Sequence, residues 1–132
     1  MTLEELQESF VLMDDWEDRY RLLIELGGQL APMPESLKTP EHKVEGCTSQ
    51  VWMVLYPDQA QHINFIADSD AHIVRGLIAV LSIIYNGRTY QEAQEIDVEE
   101  IFQELGLSSH LSPNRRNGFF AMVGRLKALS AA

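Results

Sequence analysis

The chain has 132 residues, 45% hydrophobic and 23% charged, with 10 basic against 20 acidic side chains and a formal net charge of −10. That size and composition suit one folded domain, residues 1–132, able to bury a core unaided, and such an acidic chain is a poor match for nucleic acid phosphates or anionic lipid. One cysteine rules out an intrachain disulfide, and the longest apolar stretch, 77–85, is too short to span a bilayer.

The opening residues lack the basic start and apolar run of a secretory leader, so the expected location is a reducing cytoplasm, with a protein or small molecule as partner. Thr2 followed by Glu5 is a capping-box pair, and Leu3, Leu6, Phe10 and Met13 recur at helical spacing, which predicts a first helix to about residue 13. Asp14 and Glu17 repeat the signal ahead of a second helix, with Trp16, Tyr20, Leu23 and Ile24 on one face and a left-handed cap at Gly27-Gly28. Pro32, Pro34 and Pro40 each fix φ and remove a backbone donor, so residues 29–43 read as an irregular extended connection.

That connection leads to Val44-Glu45-Gly46-Cys47-Thr48-Ser49-Gln50-Val51-Trp52, which holds the chain's one cysteine. A free cysteine often behaves as a small buried hydrophobe. Here its neighbours are Glu45-Gly46 and Thr48-Ser49-Gln50, a polar and glycine-flanked setting that favours a working thiol on a short loop. His42 lies five residues earlier, yet one His and one Cys make half a zinc site at best, and no metal is expected.

Strands are predicted at about 50–56 and 62–67, joined by a turn at Pro57-Asp58 with Gln59-Ala60-Gln61, and Val44-Glu45 adds a short third strand. Asp68-Ser69-Asp70 precedes Ile73, Val74, Leu77, Ile78, Leu81 and Ile84, so an Asp or Ser there is expected to cap a long buried helix. Asn86-Gly87 closes it, Thr89 with Glu92 opens a short helix, and Asp97 with Glu100 opens another carrying Ile101, Phe102 and Leu105 before Gly106. After a polar link over 107–111, Ser112-Pro113 starts the last helix, with Phe119, Phe120, Val123, Leu126 and Leu129 as its buried face. Arg115 and Arg116 fall in its first turn, where a cation opposes the helix dipole, so an arginine there points to a job other than stabilising its own helix. Charge is uneven along the chain. Residues 1–18 hold seven acids and no Lys or Arg, while 105–132 hold Arg115, Arg116, Arg125 and Lys127 and no acid, a pattern that solvated helix faces explain.

Gly46-Cys47-Thr48-Ser49-Gln50-Val51-Trp52 is similar to the Gly-Cys-x-Ser-Gln-Val-Trp of the SufE family of sulfur acceptors, to which CsdE also belongs. The resemblance extends to Trp16-Glu17-Asp18-Arg19-Tyr20, to Glu25-Leu26-Gly27, to Asp68-Ser69-Asp70 running into Ile73-Val74-Arg75-Gly76-Leu77, and to His110-Leu111-Ser112-Pro113-Asn114-Arg115. Arg116-Asn117 departs from it, standing where members commonly show Ser-Gln. The resemblance implies an α+β fold, a small antiparallel sheet of about three strands flanked by helices, shared with scaffold proteins of the IscU type. It implies that Cys47 receives persulfide sulfur with Asp70 and Arg115 near the thiol. It further implies as partners a cysteine desulfurase of SufS or CsdA type and an iron-sulfur scaffold complex of SufBCD type, and leaves a homodimer open. The pyridoxal phosphate belongs to the desulfurase, and no cofactor is expected on this chain.

Chemically, the expected step is thiolate exchange, and because an ordinary thiol is mostly protonated at neutral pH, a cation such as Arg115 would assist. A covalent carrier that activates a desulfurase is thus expected rather than a stand-alone enzyme. Two alternatives stay open: an allosteric adapter in which Cys47 is incidental, and a Cys/His hydrolase using His42, His72 or His110 as base. A cluster scaffold needs several thiolates and is excluded by the cysteine count.

Overall fold

The computed structural model describes residues 1–56 and 60–131. Helices α1 (Leu3–Val11) and α2 (Trp16–Gly28) come first, followed by two single 3-10 turns, Glu35–Leu37 and Pro40–His42. Strands β1 (Val51–Leu55) and β2 (Phe65–Ser69) precede α3 (His72–Tyr85), α4 (Tyr90–Glu95), α5 (Val98–Glu104), α6 (Leu107–His110) and α7 (Pro113–Ser130). The strands pair antiparallel with Val51 opposite Ser69 and Leu55 opposite Phe65. Val51, Met53, Phe65, Ala67 and Ser69 are buried, the alternation expected when one sheet face covers a core. An α+β fold with a small antiparallel sheet therefore stands, helix-rich, with two strands rather than three among the described residues.

The third strand expected at Val44-Glu45 shrinks to one bridge: Lys43 pairs with Trp52 and the Val44 N–H donates to the Val51 carbonyl at 2.8 Å. Pro40 and the 3-10 turn it opens keep the preceding residues from extending further. The second strand lies later than 62–67, because Ile63 pairs with the turn after α3 instead, donating to Arg88 and accepting from Gly87. Of the expected hairpin turn, Pro57, Asp58 and Gln59 lie outside the described residues.

Helix starts follow the sequence closely. Thr2 with Glu5 and Thr89 with Glu92 form complete capping boxes. Asp97 accepts from the Glu100 N–H, and Ser112 from the Arg115 N–H with Pro113 at the first helical position. The start of α2 differs by one residue, Asp15 being the cap in place of Asp14. The polar link expected over 107–111 folds as α6, entered through Gly106 at φ +75°.

Asp68-Ser69-Asp70 does not cap α3, whose N-cap is Ala71 without a side-chain bond. All three residues are engaged elsewhere. Asp68, its side chain 15% exposed, pairs with Lys38 Nζ at 3.1 Å and Arg75 Nε at 3.1 Å. Ser69 Oγ accepts from the Ala71 N–H, and Asp70 Oδ1 accepts from the Gln50 N–H. Through Lys38, which also sits 5.6 Å over the Trp52 ring, Asp68 fastens the proline-rich connection to the sheet.

Gly27-Gly28 is not the left-handed stop it resembles, for both glycines lie inside α2, whose C-cap is Gln29 in the right-handed region. Gly27 is buried against α3 instead: a Cβ there would meet the Gly76 nitrogen at 2.6 Å, and one at Gly76 would meet the Leu23 carbonyl oxygen at 2.5 Å. The two helices thus touch backbone to backbone. With that contact through Leu23, Gly27 and Gly76, Ile24 turns outward and is 45% exposed. The α7 face is close to expectation, with Phe119, Val123 and Leu126 buried, Met122 added, and Phe120 and Leu129 at the margin.

Substituting Gly76→Ala should lower stability by about 1–3 kcal/mol, because backbone must move to admit one methyl group and helix propensity regains only part. Urea titration reads it as a lower midpoint; a midpoint at or above wild type would show that the helices are not packed this closely.

Candidate functional site

Cys47 sits on a loop, residues 45–50, whose two ends are tied together before it begins. The Val44–Val51 backbone bond closes the base, and Gln50 is held twice by Asp70: its N–H donates to Asp70 Oδ1 at 3.1 Å and its carbonyl accepts from the Asp70 N–H at 3.3 Å. Gly46 makes the bend at φ +88°, a backbone conformation that side-chain-bearing residues seldom adopt. The loop is anchored at its stem and lightly held at its tip.

At that tip the sulfur rests against α7. Cys47 Sγ lies 3.6 Å from the Gly118 carbonyl oxygen, a weak S–H contact made where α7 carries no side chain. A cavity of about 390 Å³ opens around it. Its apolar wall is built by Ile73, Val74 and Leu77 of α3 with Phe119 and Met122 of α7, and its polar part by Thr48, Ser49, Ser112, Asn114 and Arg115. The thiol is partly buried, neither entombed nor open.

Of the residues singled out from sequence, Cys47 and Arg115 line this cavity together. Arg115 is exposed, and among the described residues its guanidinium has no hydrogen-bond or ion-pair partner, so the charge at the start of α7 is uncommitted. Asp70 is not part of the lining; its carboxylate acts one step away, on the loop stem at Gln50. Arg116, by contrast, donates through Nη1 to the Ser108 carbonyl at 3.0 Å and serves the α6–α7 corner.

None of His42, His72 and His110 lines the cavity. His42 Nδ1 is 2.8 Å from the Leu37 carbonyl oxygen, and His110 is stacked on Trp16 with ring centroids 4.0 Å apart, so the hydrolase reading has no base beside the thiol. Among the described residues no group of three or more His, Cys, Asp or Glu is placed to hold a metal ion. Nor is any helix there long and apolar enough to cross a membrane.

Burial pushes the Cys47 thiol up from its ordinary range, and no charge counters it. The sequence reading has Arg115 favouring the thiolate; the structure places Arg115 on the same cavity as Cys47, and burial sets the direction in which the thiol shifts. Sequence reasoning also missed the cavity's builders. Val74 and Leu77 read as ordinary core residues and Ser112 as a helix cap alone, while Met122 and Gly118 drew no reading. A glycine inside a helix does signal close approach, but Gly124 gives the same signal with nothing within 4 Å of it.

Fold and site together describe a small α+β protein that keeps one thiol at the tip of a stem-locked loop, inside a cavity roofed by its last long helix. The family model described as SufE, Fe-S metabolism associated domain, matches residues 4–130, and the chain belongs to the SufE family. An uncharacterized SufE-like protein of Rhizobium meliloti is 44% identical over 130 residues, 96% of this chain and 93% of that protein. Another, from Rhizobium etli, is 45% identical over 129 residues, 96% of this chain and 87% of that protein. The solution structure of a hypothetical protein from Thermus thermophilus superimposes with a TM-score of 0.78 over 99% of this chain and 96% of that one; at 19% identity the likeness is one of fold. Membership places the chain in iron-sulfur metabolism.

Because burial disfavours the thiolate, alkylation of Cys47 by iodoacetamide should rise with pH along a curve whose midpoint lies above the ordinary thiol value of about 8.5, and return to it in urea. A folded-state midpoint at or below that value would mean that a cation, not burial, governs the sulfur. Asp70→Ala removes one stem bond, so it should speed alkylation about five-fold at fixed pH, the equivalent of about 1 kcal/mol; an unchanged rate would separate Asp70 from the loop.

Proposed function

We propose that the chain is a sulfur acceptor. Cys47 takes sulfur from the persulfide of a pyridoxal phosphate-dependent cysteine desulfurase, of SufS or CsdA type, and passes it toward iron-sulfur cluster assembly through a scaffold of SufBCD type. The desulfurase is stimulated as its persulfide is cleared. What carries the reading is the combination at one cavity of a lone thiol on a loop locked at its stem, an apolar wall, and an uncommitted arginine at the polar side.

In the step proposed, the Cys47 thiolate attacks the outer sulfur of the donor persulfide. The donor's sulfur–sulfur bond breaks, a new one forms on Cys47, the donor cysteine leaves as thiolate, and the proton shed by Cys47 ends on the leaving group or solvent. No oxidant or reductant is consumed. Outward movement of the loop would break the sulfur's contact with the Gly118 carbonyl and its packing against the core, while β1 and β2 need not separate. On return, the loaded sulfur faces Ile73, Val74 and Met122 rather than solvent, where thiols and oxidants would strip or oxidise it. Arg115 then acts on the approaching anion at the cavity, and Asp70 sets the loop's stem.

Incubation with a cysteine desulfurase and cysteine should add sulfur to the wild-type chain, removable by a thiol reductant, and add none to Cys47→Ala by intact mass. Cys47→Ser should fold yet fail to stimulate sulfide release. Full stimulation by that variant would establish an adapter in which the thiol is incidental, and an unmodified wild-type mass would end the carrier reading.

A further inference from the structure

α2 gives no side chain to the Cys47 cavity, yet it touches α3, which walls it, and the α6 corner that leads into α7. On one side the Gly27–Gly76 contact fixes α3, which supplies the wall. On the other, two aromatic residues of α2 grip the corner that precedes α7. Trp16 stacks nearly parallel on the His110 ring, at 4.0 Å and 14°, and the Tyr20 hydroxyl donates to the His110 carbonyl at 2.7 Å. His110 Nδ1 in turn lies 3.0 Å from the Gly106 carbonyl oxygen, so ring and backbone are both held.

Trp16 is itself immobilised. Arg19 lies 5.0 Å over its ring while binding the Met13 carbonyl through Nε and Nη2, and Phe10 meets it edge-on. Gly106, at φ +75°, leaves room for it: a Cβ there would stand 3.0 Å from Trp16 Cζ2. Beyond His110 only the buried Leu111 intervenes before Ser112, the N-cap, and Ser112, Asn114 and Arg115 then face the cavity. With so short a connection, displacement of the His110 corner would be passed to the first turn of α7.

Taking Cys47 as the working thiol, as the sulfur-acceptor reading does, we propose that Trp16 and Tyr20 are positioning residues: they clamp the His110 corner and thereby hold Arg115 at the mouth of the Cys47 cavity. α2 thus sets the wall and the mouth of the site from one rigid piece. Neither residue touches the reacting sulfur. Their action is on the placement of a positive charge along the path by which an anionic sulfur donor approaches.

The test compares alkylation of Cys47 by iodoacetate and by iodoacetamide, reagents of similar size that differ in charge, above the pH range in which imidazole titrates. A cation at the mouth favours the anionic reagent, so the ratio of the two rates should be about two-fold or more higher in wild type than in Arg115→Ala, the scale of one charge acting through a watery mouth. Tyr20→Phe, which removes one hydroxyl and should preserve the fold, and His110→Ala, which removes the stacked ring, should each lower the ratio at least halfway to that of Arg115→Ala. A loosened loop raises both rates alike and leaves the ratio where it was, so an unchanged ratio in these variants overturns the positioning role, as does a wild-type ratio equal to that of Arg115→Ala. The measurement needs no sulfur donor: a ratio that falls as expected in a protein that takes up no sulfur would remove the acceptor function and leave the clamp standing.

Discussion

The close approach of α2 and α3 is the constraint on which the site depends. Two helices separated by ordinary side chains can slide and rotate a little; two that meet at Gly27 and Gly76, where either added Cβ would strike backbone, have one seating. That seating decides which side of α3 faces away from α2, and Ile73, Val74 and Leu77 on it become the wall against which Cys47 is kept. The same helix carries Trp16 and Tyr20 to the corner before α7. A single packing contact therefore constrains two sides of the cavity that lie far apart along the chain.

Most local structure was legible because helix starts are local chemistry. Thr2 with Glu5, Thr89 with Glu92, Asp97, and Ser112 before Pro113 each need only a side chain three residues from the amide it satisfies. The failures came where a residue with local competence was claimed by a distant partner. Asp68-Ser69-Asp70 has the composition of a cap, but Lys38 and Arg75 take the first carboxylate and the Gln50 amide takes the last. Gly27-Gly28 has the composition of a helix stop, but Gly27 is needed at an interface whose other half lies in Gly76. Pairing over such separations leaves no periodic trace in one sequence.

The site divides along the same line. Cys47 stood out because its neighbours were polar where a core cysteine would have apolar ones, and Arg115 because a cation in a helix's first turn opposes the dipole. Both are local anomalies, and the structure brings both to one cavity. The apolar wall carried no anomaly at all: Val74, Leu77 and Met122 have the character of core residues because, save for a few ångströms of empty space, they are core residues. Only the fold distinguishes a packed methyl group from one that lines a cavity.

On the sulfur-acceptor reading proposed above, a thiol that captures sulfur and then keeps it is under opposed demands. Capture needs a thiolate, which burial disfavours; keeping needs exclusion of water, reductants and oxidants, which burial provides. On that reading the structure leans toward keeping: the sulfur rests against the Gly118 carbonyl, and burial pushes its titration up. On that reading, reactivity is supplied by the encounter itself. A loop lightly held at its tip and fixed at its stem would allow this, since the thiol could move from a medium that favours S–H to one that favours S⁻ while the sheet and the helices around it stay in place. Arg115, uncommitted at the cavity, is on the same reading the charge that an anion entering from outside would meet. Shelter and slow resting chemistry are on this account one property, and the loop stem is the hinge between that property and its opposite.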